Sequence, residues 1–149
     1  MSETSRADIR TAMAEERMAA AGVTEATIDR MVRTFYGKIQ GDPVLGPIFG
    51  RAITDWEPHL SKMVDFWSSV ALLTMRYEGR PMPVHVRMGL EPEHFARWLE
   101  LFRETAAEVF PPDGAAFFVG KAEQIARSFQ MGIQFFNEQT KGSAAPAAR

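Results

Sequence analysis

The sequence contains no cysteine. That excludes a disulfide framework, thiolate metal sites, iron–sulfur clusters and a cysteine nucleophile. Excess charge of one sign is also missing. The 17 Lys+Arg against 19 Asp+Glu give a formal net charge of -2, so no basic surplus exists to hold a polyanion. Nucleic acid is therefore not expected as a partner. Long apolar runs are lacking too. Val70-Ala71-Leu72-Leu73 is far short of the ~20 residues a membrane span needs. The first residues mix charged and small side chains and do not form the continuous apolar core of a signal peptide. A soluble, cytoplasmic protein with no membrane partner is expected. There are only three histidines, with no H-E-x-x-H and no Gly-rich phosphate loop. Nothing supports a zinc hydrolase or a nucleotide-binding fold.

Large apolar side chains are abundant: 11 Phe, 3 Trp and 9 Met in 149 residues. That length suits one domain. Apolar residues recur at helical spacing and no strand pattern appears, so the fold class is all-α. Residues 5–21 form a weak N-terminal helix with Ser5 and Asp8 as its capping box, and Gly22 ends it. Thr24 caps the next helix, whose stripe is Ile28, Met31, Val32, Phe35 and Ile39, with Tyr36 on its edge. Residues 41–53 read as a loop, yet Leu45, Ile48 and Phe49 are too apolar to face water. The following helix is expected from Thr54 or Asp55, capped by Thr54 and Glu57, to about Tyr77. Its inward stripe includes Leu60, Met63, Phe66/Trp67 and Val70. A Pro/Gly loop over 79–89 leads to a helix opened by Pro92, with Phe95, Trp98, Leu99, Phe102, Ala106 and Val109 inward. Pro111-Pro112-Asp113 starts the last helix, and its stripe from Phe118 to Phe136 reads mainly as packing. The chain divides into an N-terminal extension (1–22), a folded domain (23–138) and a disordered tail (139–149).

Few residues carry chemistry. His59 lies one turn into a helix, His85 in the Pro/Gly loop and His94 in the first turn after Pro92. Singly, each reads as an ordinary histidine. Tyr36 and Trp98 sit on apolar faces, where a hydroxyl or indole N–H needs a partner. Together these residues describe a pocket. A helix with His59, a loop returning with His85 and an apolar loop with Phe49 can enclose a large flat ligand. Haem requires such a set: a neutral imidazole, a dry aromatic lining and a few donors.

The residues also resemble a known family. Phe35-Tyr36, Asp42-Pro43-Val44-Leu45-Gly46-Pro47-Ile48-Phe49, Trp56-x-x-His59 and Met63-x-x-Phe66-Trp67 carry the resemblance. Tyr77-x-Gly79-x-Pro81-Met82-x-x-His85 and His94-Phe95-x-x-Trp98-Leu99-x-Leu101-Phe102 continue it, so that it covers about 23–138. This pattern is similar to the third group of truncated haemoglobins. The resemblance implies a globin-like two-over-two helical sandwich around haem b. It implies His85, not His94, as the proximal iron ligand, and haem contacts from Phe49, His59, Met63, Phe66 and Trp98. It further implies Tyr36, His59 and Trp98 as the distal residues facing a bound diatomic. Arg76, Arg80 and Arg87, in or near the loop, are candidate cations for the haem carboxylates.

Two functions follow as expectations. One is a protein that stores, carries or senses dioxygen, nitric oxide or carbon monoxide. The other is an enzyme acting on bound oxygen, by nitric oxide dioxygenation or peroxidase-like oxidation, with a separate reductase. Several donors around one ligand slow its release, which suits retention better than rapid delivery.

Overall fold

The computed structural model describes residues 5–77, 79, 85 and 87–144, with side chains through 139. Among them are six helices: α1 (Arg6–Ala20), α2 (Glu25–Gly41), α3 (Leu45–Ala52), α4 (Trp56–Leu72), α5 (Pro92–Val109) and α6 (Pro112–Ala144). No strand occurs among the described residues. Helix α2 packs on α4, α5 packs on α6, and α2 meets α5 between the two pairs. This is the expected two-over-two arrangement.

The helix starts follow local chemistry. The Ser5 and Asp8 box closes α1, with the Asp8 N–H donating to Ser5 Oγ at 3.1 Å. At the start of α2, Thr24 receives the Thr27 N–H at 3.3 Å. Glycine matters most at the junctions. Gly22 adopts φ +79° between α1 and α2, and a Cβ there would meet the Pro111 ring that precedes α6. Gly114 lies within reach of the Ala21 carbonyl, so the α1–α2 and α5–α6 turns dock directly.

The expected tail from residue 139 is instead helix as far as Ala144, and two further element bounds change. Residues 45–52 are a helix, not a loop. Asp42 explains it: one carboxylate oxygen accepts the Val44 and Leu45 N–H groups at 3.1 and 2.9 Å, and the other takes the Arg97 guanidinium at 2.7 Å. Burial opposes this charge, but the Leu45 N–H, Arg97 and the Val44 N–H outweigh it and hold the carboxyl below its ordinary range. The other change concerns α4, which ends at Leu72, short of Tyr77. Leu73 and Met75 take φ +56° and +59°, turning the chain out of the helix. Arg76 ties this turn down through Glu25 at 2.9 Å and Asp65 at 3.1 Å. The Tyr77 N–H donates to Ser69 Oγ at 3.1 Å. The anticipated Thr54/Glu57 box does not form either. Glu57 is drawn to Arg33 at 2.7 Å, and Asp55 is the N-cap, with no side-chain bond.

The core runs through the middle of the sandwich. Phe35, Phe102 and Phe118 are fully buried, together with Ile28, Met31 and Ile39. Helix α1 lies against α4, where Thr11 Oγ1 donates to the Leu73 carbonyl at 3.0 Å. Among the described residues, no helix is long and apolar enough to cross a membrane.

Candidate functional site

Two adjoining cavities open beside the core. One, of about 60 Å³, is lined by Tyr36 from α2, Phe49 from α3, Met63 and Phe66 from α4, and Tyr77 and Trp98. The other, of about 20 Å³, is lined by Leu45, Leu90, His94 and Phe95 among others. Phe49, His85, Trp98, Ile125 and Phe129 line both. His85 therefore stands where the two meet. Its ring lies 4.4 Å from that of Phe129, and its carbonyl accepts the Met88 N–H at 3.3 Å, within one helical turn.

Tyr36 is held edge-on between neighbours. Its ring centroid lies 4.9 Å from His59, 5.2 Å from Phe35 and 6.0 Å from Trp56. Burial raises its phenol pKa well above the ordinary value, with Tyr77 adding to the shift, so the hydroxyl stays a donor. Trp98 stacks on Phe102 at 5.5 Å and meets Phe35 edge-on at 5.4 Å, which fixes the indole at the cavity wall.

His59 is set back from the wall, against Tyr36 and Trp56. Its Nε2 is buried and makes no hydrogen bond among the described residues. Such an orphan costs roughly 1–3 kcal/mol, so it marks a place kept for something else. Burial lowers the imidazole pKa, and Lys62 and His85 lower it further. His59 is thus neutral at neutral pH.

His94 lines the smaller cavity, but its Nδ1 already accepts the Glu91 N–H at 2.8 Å, closing the cap of α5. A neutral His94 then carries its proton on Nε2 and presents a donor, not a lone pair, to the cavity. No group of three or more acidic or histidine side chains is placed to hold a metal among the described residues. A metal here needs a carrier that supplies most of its ligands.

These observations match what two comparisons return. The sequence is 31% identical, over 113 residues, to the group 3 truncated hemoglobin ctb of Campylobacter jejuni. The match covers 72% of this chain and 89% of that protein. The chain belongs to the group III truncated haemoglobins. The crystal structure of the group III truncated hemoglobin from Campylobacter jejuni superposes with a TM-score of 0.70 at 31% identity. It covers 74% of this chain and 91% of that one. No family model matches the sequence. Membership of the truncated haemoglobins implies a haem cofactor and a small diatomic ligand. The residues fit such a group: two apolar spaces meet at one imidazole, and donors face the larger of them.

Some site residues were not legible in the sequence. Ile125 and Phe129 belong to a stripe read as packing, yet both line the cavities, and the Phe129 ring lies tilted against His85. Their spacing of four put them on one face, but nothing in the sequence says that this face meets the loop. Tyr77 was placed at a helix end and instead packs its ring 5.1 Å from Phe66 at the cavity. Phe136 leaves the stripe and is exposed. Of the candidate cations, Arg76 is engaged by Glu25 and Asp65, and Arg87 faces an open groove. Arg80, with Pro81 and Met82 of the recognised motif, lies outside the described residues, as do 145–149.

Proposed function

We propose that this truncated haemoglobin holds haem b at the junction of the two cavities, with His85 as the proximal iron ligand, and reversibly binds dioxygen or a related diatomic such as nitric oxide or carbon monoxide. Haem, when bound, supplies a ferrous iron that takes up the diatomic. One observation carries the reading. Tyr36 and Trp98 bring a phenol and an indole N–H to the same apolar cavity that His85 lines.

The rest follows from the chain itself. Phe49, Met63 and Phe66 exclude water and give the flat apolar lining. In that low-dielectric space the O–H of Tyr36 and the N–H of Trp98 donate strongly to a ligand carrying partial negative charge. Tyr36 stays protonated because ionising it there is costly. His59 steadies the phenol from behind and keeps Nε2 free for the distal space. His94 is not the iron ligand in this reading, because its Nδ1 is spent on the cap of α5.

Haem titration of the His85→Ala and His94→Ala variants tests the assignment, read by the Soret band and the ferrous spectrum. His85→Ala is expected to lose the five-coordinate ferrous spectrum, and His94→Ala to keep it. The reverse pattern would overturn the assignment.

A further inference from the structure

Helix α6 carries its buried stripe on one side. Phe118, Ala122, Ala126 and Ile133 face the core, and Ile125 and Phe129 reach the cavities beside it. At about 3.6 residues per turn, Met131 lies opposite that stripe, and Phe135 follows one turn later on the same outer side. A helix packed on one face ordinarily carries polar residues on the other. Here Met131 is 70% exposed and Phe135 61%. Exposed Arg127 stands one turn before Met131, and exposed Glu138 one turn after Phe135. The outer face thus reads cation, apolar, apolar, anion over about 17 Å of helix.

That order is complementary to itself. Turned end for end about a two-fold axis at Gly132 and Ile133, a second copy sets its Glu138 beside Arg127 and its Phe135 beside Met131. Both pairs are centred there, so one axis serves them all. A parallel pair would instead set Arg127 on Arg127 and Glu138 on Glu138, which like charges oppose. Helix α1 also exposes apolar side chains, Ile9 and Met13. On its outer side, however, exposed Arg6, Arg10 and Arg17 outnumber Glu16, so pairing there would gather unmatched positive charge.

We propose that two copies of this chain associate through antiparallel α6 helices, with Met131 and Phe135 at the centre and an Arg127–Glu138 pair at each end. One helix face of about three turns buries less than the roughly 1,600 Å² of a standard interface, so the association is reversible and concentration-dependent. It leaves the cavities untouched, since α6 lines them with Ile125 and Phe129 from its other side.

Sedimentation equilibrium of the full chain, from micromolar to millimolar, measures the association. The mass is expected to rise from 16.7 kDa toward twice that value. Met131→Glu and Phe135→Ser are each expected to weaken association by about a hundredfold, because each change acts twice across the axis. Arg127→Glu or Glu138→Arg alone is expected to weaken it about tenfold, and the two together to restore it to within about threefold of wild type. Met13→Glu is expected to match wild type. Circular dichroism checks that every variant is folded. A wild type that stays monomeric throughout overturns the proposal. So does a double charge reversal that associates no better than the single ones, or a loss of association in Met13→Glu alone. A monomeric wild type that instead sediments with phosphatidylcholine–phosphatidylglycerol vesicles, and loses them in Met131→Glu, would assign the face to a lipid surface.

Discussion

Around Phe35, Phe102 and Phe118 the aromatic rings close on one another, whereas around Tyr36, Phe49 and His85 they leave space. Both regions draw on α2, α5 and α6, and both are built from the same residue types. In the first, Trp67 packs 5.2 Å from Phe102 and 5.6 Å from Phe118, and each ring is covered by another. In the second, the rings stand at cavity walls, and beside them the buried Nε2 of His59 lacks a partner among the described residues. Aromatic content alone therefore does not separate core from site. Unmet hydrogen-bonding capacity does, because a buried polar group without a partner is stable only if a ligand or water meets it.

The contrast can be broken from either side. Phe102→Ala is expected to have the largest effect, a loss of about 3–5 kcal/mol of folding stability, because it empties a fully enclosed position. Denaturant unfolding measures it, and a loss below about 1 kcal/mol would mean that the closed region is not the stabilising one. Tyr36→Phe removes one donor and little volume. Its dioxygen off-rate is expected to rise about tenfold to hundredfold, as for a hydrogen bond to a charged partner, with stability nearly unchanged. An unchanged off-rate would remove Tyr36 from the distal role. His59→Leu is expected to leave folding stability unchanged or to raise it by up to about 1–3 kcal/mol, because it replaces an orphaned polar group with an apolar one.

The same variant sharpens the comparison through pH. The imidazole of His59 sits below its ordinary value of 6.5 in the folded chain, so the unfolded chain binds more protons between the two values. Stability is then greatest above pH 6.5, falls as pH drops below it, and levels off below the depressed value. Thermal melts from pH 8 to pH 5 should show that slope in wild type, and His59→Leu should flatten it. Equal slopes in both proteins would assign the pH dependence to other groups.

Much of this was legible in the chain order. The periodic stripes of α2 and α5 fixed their inward faces, and the caps at Ser5 and Thr24 set two helix starts. The motif from Tyr77 to His85 pointed to the family before any coordinates. Helix α3 was not legible, because Gly46, Pro47 and Gly50 read locally as loop. Asp42, whose carboxylate accepts the Val44 and Leu45 N–H groups at its start, is secured by Arg97, 55 residues later. The end of α4 was hidden for a similar reason, since Arg76 reaches back 51 residues to Glu25.

The sequence by itself determined the helical class, the apolar faces and the family, since those follow from spacing and residue type along one segment. Only the tertiary structure decided which polar atoms remain unpartnered and which side chains share a groove. Those are sums over neighbours from distant segments, and no local pattern carries them. It is the packing of α2 and α4 that leaves His59 Nε2 without a partner, and the meeting of α3 with the chain past His85 that brings Arg51 and Arg87 to one groove.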